Sequence, residues 1–160
     1  MYSKEINEAD VRYILEHLRD EDRHEALIQK GENYIDDILS TVMKRKEMCL
    51  LGVKKSDDTP VCIGGYVDMG EGVGCVWLLS TPEIVNHQVC LLRHIKEFID
   101  NLDKKFWLTF NMLYCENKLA KKWLTKLGFK FDNPHPETLN IPDDFEFFYR
   151  KRTTRGLNYK

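Results

Sequence analysis

The side chains most able to react with a substrate or to hold a metal are the five cysteines and five histidines of this chain. They contain no C-x-x-C pair and no H-x-x-x-H pair, so we predict no metal site. Four of the cysteines lie in strongly apolar stretches, which is typical of reduced core thiols in a cytoplasmic protein. The residues are Cys49, Cys62, Cys75, Cys90, Cys115, His17, His24, His87, His94 and His135.

Motifs for other common chemistries are also missing from the sequence. There is no G-x-S-x-G elbow and no P-loop, and spacing alone pairs no cysteine with a histidine as nucleophile and base. The basic C-terminal stretch with Arg152, Arg155 and Lys160 fits either a contact to nucleic acid or a partner protein, or a solvated tail. We favour the solvated tail, because chain ends are often frayed.

Length and composition indicate one folded domain. The chain has 160 residues, with 24 Lys and Arg against 26 Asp and Glu and a formal charge of −2. We assign residues 1–152 to a single domain and 153–160 to a basic tail. Near-neutrality argues against a dedicated nucleic-acid binder, and the 42% hydrophobic share is enough for a core. No apolar run approaches about 18 residues and no secretory signal is visible, so we expect a cytoplasmic location.

The hydrophobic pattern changes from helical to extended after about 47 residues. We predict a short strand at 2–6, a helix capped by Asn7 or Asp10, a helical segment that stops near Gly31, and an amphipathic helix with the basic residues 44–46 at its end. Turn residues then separate three predicted strands, and the adjacent glycines 64 and 65 in the middle strand indicate a bulge or a close backbone approach. These strands are 48–54, 61–69 and 73–80.

The second half alternates between helices and strands. A helix with start signals at Ser80–Glu83 is followed by a strand at 105–112, a helix at 116–127, a strand that begins at Phe129, and a last strand at 144–152. The step from 73–80 through a helix to 105–112 requires a crossover, so these two strands should be parallel neighbours. The expected fold is α+β, with a mixed, mostly antiparallel central sheet and helices on both faces.

Residues 117–129, which read Asn-Lys-Leu-Ala-Lys-Lys-Trp-Leu-Thr-Lys-Leu-Gly-Phe, resemble the final helix signature of the GNAT superfamily of N-acetyltransferases. In that signature an Asn is followed by Ala three residues later, and the helix ends in Leu-Gly-Phe. The predicted element order is similar to the same fold. A narrower resemblance is to the GNAT-like proteins of tailed bacteriophages, including the internal virion protein type. The Trp-Leu-x-x-Leu-Gly-Phe ending, Asn111 and the strand 76–80 carry it.

The resemblance implies where acetyl-CoA would bind. In GNAT enzymes strands four and five splay apart, the pantetheine arm pairs with strand four, and the pyrophosphate lies at the N-terminus of the next helix, where backbone N–H groups are unpaired. The implied cofactor-binding residues are Trp77, Leu78, Leu79, Ser80, Asn117, Lys118 and Lys122. The alternatives are that Asn117 is only a helix N-cap and that the lysines form a solvated helix face.

Two regions depart from the family pattern. The family's phosphate loop contains glycines, whereas Ser80–His87 contains none. Within it, Pro82 removes a backbone N–H and Glu83 adds a negative charge where phosphate would bind. The second departure is at Leu124, where many members have a tyrosine that protonates the departing thiolate.

Weaker candidates remain for the catalytic groups. Tyr114, which precedes the final helix, is a substitute for the missing acid, with a packing role as its alternative. A general base would come from the three-stranded region, where Asp68 and Glu71 are the acidic candidates. A solvated turn carboxylate is the alternative for Glu71.

Two functions follow from these observations. The first is an acyl-CoA-dependent N-acetyltransferase with an atypical phosphate loop. The second is a catalytically inactive GNAT-fold phage protein that acts in virion assembly or host-protein interaction, in the host cytoplasm or the virion. The partner would be a CoA thioester and an amine in the first case, and a phage or host protein in the second. Both place the site in the cleft between 73–80 and 105–112.

Overall fold

Three helices from the first third of the chain lie on one face of a six-stranded sheet. The computed structural model describes residues 1–131 and 139–152. The first elements are β1 (Tyr2–Lys4), α1 (Glu8–Glu16), α2 (Asp20–Lys30) and α3 (Tyr34–Lys44). Asn7 caps α1, because its side chain accepts a hydrogen bond from the Asp10 N–H at 2.9 Å. Gly31 follows α2 with a φ of 77°, which a residue without Cβ adopts without a steric clash.

The three strands predicted in the middle of the chain are confirmed as an antiparallel meander. They are β2 (Cys49–Val53), β3 (Pro60–Gly70) and β4 (Val73–Ser80). The predicted close backbone approach is also confirmed, since a Cβ on Gly65 would lie 2.5 Å from the Met48 carbonyl oxygen.

The second half differs from the prediction in three places. A 3₁₀ segment, Pro82–His87, precedes α4 (Gln88–Leu102), so the α-helix begins later than its start signals suggest. The first turn of the 3₁₀ segment is tight because the Ile84 N–H donates to the Thr81 carbonyl, three residues back, at 3.1 Å. The crossover ends in β5 (Leu108–Tyr114), which begins three residues later than predicted, and α5 (Lys118–Lys126) follows it.

The third difference concerns the chain after α5. The strand predicted to begin at Phe129 is, within the described residues, an isolated bridge between Lys130 and Tyr149 of β6 (Phe145–Lys151). Lys130 meets β6 only there, through two backbone hydrogen bonds of 2.8 and 3.0 Å. Residues 132–138, where a strand beginning at Phe129 would continue, and the predicted basic tail at 153–160 lie outside the described residues.

The strands follow chain order across the sheet, from β1 to β6. Each neighbouring pair is antiparallel except β4 and β5, which are parallel. The predicted α+β fold with a mixed, mostly antiparallel sheet is therefore confirmed, as is the parallel crossover. Helices α1 to α3 cover one face and α4 and α5 the other, each with its own buried apolar cluster. Among the residues described here, no helix is long and apolar enough to span a membrane.

The cap on α1 gives a direct test of this local assignment. Replacing Asn7 with Ala should lower the free energy of unfolding by about 1 kcal/mol, because the Asp10 N–H loses its acceptor. Asn33 is a matched control, since it occupies the N-cap position of α3 but makes no capping hydrogen bond. Asn33→Ala should therefore change stability by roughly 0.5 kcal/mol or less in urea unfolding. Equal losses in the two variants would contradict the capping role.

Candidate active site

The central feature of the site is a gap between β4 and β5. The two strands pair only where Val73–Cys75 meets Leu108–Phe110, and within the described chain no pairing continues toward Ser80 and Tyr114. Asn111 marks the point of divergence, because its side-chain amide donates to the Val76 carbonyl at 2.7 Å. The strands therefore form a V whose open end lies at their C-terminal ends.

A cavity of about 590 Å³ runs through this gap and reaches both helical layers. Gln29 of α2 together with Ile38 and Thr41 of α3 lines it on one side of the sheet. Ile95 of α4 and Ala120 of α5 line it on the other side. Molecules on opposite faces of the sheet could therefore meet between the strands.

Backbone groups of β4 face the gap. The Ser80 N–H donates to Asp22 of α2, and the Ser80 carbonyl accepts from the N–H of Arg19, directly before α2. The Val76 carbonyl accepts from Asn111. Alternate residues of a strand direct their backbone groups to the same edge, so the N–H and carbonyl of Leu78 also point toward β5. No partner for them lies among the described residues. Leu78 thus presents one donor and one acceptor to the cavity.

A buried polar network closes the open end of the V. Arg19, directly before α2, makes a two-point ion pair with Asp22, with N–O distances of 3.1 and 2.9 Å. Its guanidinium also donates to the Ser80 hydroxyl at 3.1 Å and to the Asn117 side-chain oxygen at 3.3 Å. The guanidinium lies 5.7 Å from the Trp123 ring centre, within cation–π range. The positive charge is therefore held inside the protein by several partners.

The two acidic residues of α2 bind the ends of the two diverging strands. Asp22 Oδ2 accepts from the Ser80 N–H at 2.9 Å and from its hydroxyl at 2.7 Å. Glu25 Oε1 accepts from the Tyr114 N–H at 3.2 Å and from the Asn117 side-chain amide at 3.0 Å. Because Asp22 and Glu25 are one helical turn apart, α2 bridges β4 and β5.

The charge of Glu25 is poorly compensated. Burial raises its pKa from the ordinary 4.5 to about 7, and the nearby Asp22 carboxylate adds to the rise. Hydrogen bonds from Asn117 and Tyr114, and the more distant Arg19, offset part of this effect. The carboxyl group therefore changes its charge close to neutral pH.

The structure brings several residues predicted for the site together at the gap. Trp77–Ser80 forms the divergent half of β4, and Asn117 lies 2% exposed inside the polar network. Asn117 is also the N-cap of α5, accepting from the Ala120 N–H at 3.3 Å, so its capping and its place at the site are compatible. Lys118 and Lys122 are exposed on the first turns of α5.

Tyr114, the predicted acid, lies at the open end of β5. Its ring packs against that of His24 in a tilted arrangement, with a centroid separation of 4.2 Å and an interplanar angle of 39°.

Asp68 and Glu71 lie at the other end of β4. Asp68 accepts from the Gly70 N–H at 3.0 Å and pairs with Lys105 at 3.3 Å, and Glu71 forms the β3–β4 turn with a φ of 53°. The length of β4 separates this turn from Ser80 by roughly 23 Å, at about 3.3 Å per residue. The structure does not bring these two acids together with the gap.

Sequence reasoning missed Arg19, Asp22 and Glu25, which lie in the charged run at 19–25. A run of charges is usually a solvated helix face, and most of α2 fits that description. The available signal was spacing, since these three residues and Ala26 fall on one helical face. That face is the buried one.

In the segment Ser80–His87, where phosphates would bind, the charge of Glu83 has partners within the protein. Glu83 pairs with Lys54 at 3.5 Å and with His87 at 3.3 Å. Although partial burial raises its pKa, hydrogen bonds from Asn86 and His87 and the Lys54 charge give a net lowering. The Glu83 carboxylate is thus already paired within the protein.

Among the described residues, no three His, Cys, Asp or Glu side chains are grouped to hold a metal ion, and all five cysteines are free.

Solved structures with the same architecture include acetyltransferases of the GNAT family. A GNAT-family acetyltransferase from Bacillus anthracis superimposes with a TM-score of 0.67 at 11% identity, covering 94% of this chain and 93% of that one. Spermidine N-acetyltransferase from Vibrio cholerae, in complex with CoA and spermine, gives 0.65 at 12%, covering 94% and 95%. A GNAT-family acetyltransferase from Streptococcus pneumoniae gives 0.60 at 13%, covering 95% and 99%.

These similarities define the class of fold. The chain has the GNAT acetyltransferase fold along nearly its whole length. No family model and no curated protein matches its sequence.

The ion pair in the network gives a stability prediction. Asp22→Asn should destabilise the protein by about 3 kcal/mol, because it leaves the buried Arg19 guanidinium without a counter-charge. Asp20→Asn is the matched control on the same helix, since the Asp20 side chain is 98% exposed and its contact with Arg23 is 3.5 Å long. Chemical denaturation of both variants measures the difference. A loss below about 1 kcal/mol for Asp22→Asn would contradict the role of the pair.

Glu25 predicts a pH dependence of stability. Its pKa is higher in the folded protein than in the unfolded chain, so the folded state binds more protons between these values and loses stability as pH rises from about 4.5 to about 7. The contribution is on the order of 3 kcal/mol. Glu25→Gln should remove this part of the pH dependence, measured as unfolding free energy at several pH values. A parallel pH profile in the two proteins would contradict the assignment.

Proposed function

We propose that this protein is an acyl-CoA-dependent N-acetyltransferase. The observation that carries the proposal is the divergence of β4 and β5 around a cavity of about 590 Å³ into which β4 directs the free N–H and carbonyl of Leu78. An extended amide chain can add to such an edge as another strand does. The pantetheine arm of acetyl-CoA is a chain of this kind. The spermidine N-acetyltransferase of the same fold has been solved in complex with CoA.

The cofactor would follow the α4–α5 side of the gap. Its pantetheine arm would pair with the divergent part of β4, Trp77–Ser80, and Asn117 would lie beside it. Its phosphates would lie near the start of α4, where the exposed Lys118 and Lys122 of the neighbouring helix α5 supply positive charge. In this atypical phosphate loop Pro82 offers no N–H, Lys54 pairs with the Glu83 charge and the His87 ring lies within hydrogen-bonding distance of it.

The Leu78 N–H would also serve the reaction. Attack of an amine on the thioester places negative charge on the carbonyl oxygen, and a fixed backbone donor in a water-poor cavity stabilises that charge. With the cofactor on the α4–α5 side, the amine would approach from the α2–α3 side. The arrangement supports acyl transfer between molecules that enter from opposite faces of the sheet.

A second candidate is favoured by one contact. Asp22 occupies the Ser80 N–H, which is the next β4 donor after Leu78 that an added strand would use. Because the protein's own carboxylate bonds to this donor, the donor is not free to bind a cofactor, which favours a catalytically inactive GNAT-fold protein. The role in this case would be virion assembly or host-protein interaction, in line with the resemblance to phage proteins.

Ligand binding separates the two candidates. Acetyl-CoA and CoA at about 1 mM should raise the melting temperature by a few degrees, because each binds only the folded protein. Calorimetry should give the matching heat, and mass spectrometry of a panel of primary amines should detect acetylated product.

A cavity-filling variant controls for the site. Ala120→Phe projects into the α5 side of the cavity and should abolish the shift, whereas Thr125→Phe, on the exposed face of the same helix, should retain it. If the unmodified protein shows no shift and no heat, the acetyltransferase proposal fails and the inactive candidate stands.

A further inference from the structure

The Glu25 carboxyl group lines the cavity at the open end of the V. Its Oε1 accepts two hydrogen bonds, from the Tyr114 N–H and the Asn117 amide. No donor in residues 1–131 or 139–152 lies within hydrogen-bonding distance of Oε2. An ionised carboxylate has about four acceptor positions, and Glu25 lines the cavity, so Oε2 is available to a molecule bound there.

Glu25 belongs to α2, which lies on the side of the sheet opposite the proposed cofactor path. Side chains of β4 alternate, so Trp77 packs with the α1–α3 cluster whereas Leu78 packs with α4 and α5. The cavity wall on the α2–α3 side includes Trp77 and Ile38. A tryptophan side chain, an aliphatic wall and a carboxylate that line one cavity suit a primary ammonium group on an apolar chain.

The charges around Glu25 leave it able to accept this cation. Arg19 and Asp22, from the same helical segment, form a two-point pair that largely cancels their charges. The groups that face Glu25 from β5 and α5 are the Tyr114 N–H and the Asn117 amide, and both are uncharged. Among the described residues, no cation therefore bonds directly to the Glu25 carboxyl group, and Arg19 acts on it only through its charge.

We propose that Glu25 is the general base of the reaction, and that its Oε2 takes a proton from a primary alkylammonium acceptor bound between α2, α3 and β4. This inference rests on the acetyltransferase function proposed above. It adds the chemical class of the acceptor and a catalytic residue that would contact the acceptor directly. Asp68 and Glu71, at the far turn, do not share this position.

The step balances as follows for an ammonium acceptor and acetyl-CoA. Oε2 takes one proton from the ammonium, and the freed nitrogen lone pair forms the C–N bond at the thioester carbon. The carbonyl electrons move to oxygen, beside the Leu78 N–H, and return as the C–S bond breaks. The departing thiolate takes the second proton from nitrogen, and Glu25 releases the first to solvent. The products are an N-alkylacetamide, CoA and one proton.

Binding of an ammonium probe tests the inference without catalysis. Butylammonium at about 10 mM should shift the amide NMR signals of Tyr114 and Asn117 at about pH 8, where Glu25 is ionised, and bind at least about tenfold more weakly at about pH 5.5. Glu25→Gln should lose the pH dependence and most of the binding. Glu21→Gln, one turn earlier on α2 and without a polar partner in the described structure, should bind as the unmodified protein does. Butanol should produce no comparable shift.

Transfer activity supplies the catalytic readout. Glu25→Gln should bind acetyl-CoA with unchanged affinity but lower kcat by about 100-fold or more. The rise of kcat between about pH 6 and pH 8 in the unmodified protein should disappear in this variant, whereas Glu21→Gln should keep it.

The outcomes distinguish this inference from the function on which it rests. Equal ammonium binding by the unmodified protein and Glu25→Gln, or no binding by either, overturns the role of Glu25 even if acetyl-CoA binds. Absence of acetyl-CoA binding overturns the acetyltransferase function, whatever the ammonium probe shows. A folded Glu25→Gln protein with full kcat and an unchanged pH profile also overturns the inference.

Discussion

Strands that diverge leave backbone N–H groups without partners, and each such group costs on the order of 1–3 kcal/mol when it is buried. In this protein the constraint falls on Ser80 and Tyr114, at the open end of the V. Helix α2 satisfies both, with Asp22 on one strand and Glu25 on the other. The separation of β4 and β5, and with it the cavity, depends on these two carboxylates one turn apart.

The two acids have different electrical environments although they share a helix. Asp22 is matched by the Arg19 guanidinium and by two donors from Ser80, so its charge is fixed and structural. Within residues 1–131 and 139–152, Glu25 receives only neutral donors, both on one oxygen, so burial makes its ionisation costly and reversible near neutral pH. The same network thus contains a rigid anchor and a group suited to proton transfer.

The structure shows what surrounds Glu83 and Pro82, the two residues that depart from the family's phosphate loop. Glu83 is compensated by Lys54 and His87, and the chain at Pro82 forms a 3₁₀ turn before α4 begins. If acetyl-CoA binds as proposed, Leu78 provides the strand contact and the lysines of α5 provide the charge. A cofactor site would then be retained with its main anion contacts moved from the loop to the neighbouring helix.

The sequence by itself determined most of the elements, the bounds of β4, the parallel crossover and the capping role of Asn117, because hydrophobic period and capping residues act over a few positions. Only the tertiary structure decided which charges are buried. Asp22 and Ser80 are 58 residues apart, and Glu25 and Asn117 are 92 apart, so no local pattern links them. The tertiary structure also placed Asp68 and Glu71 away from the gap, because their turn and the open end of the V lie at opposite ends of β4. Burial and proximity arise from packing between distant segments, which spacing along the chain does not contain.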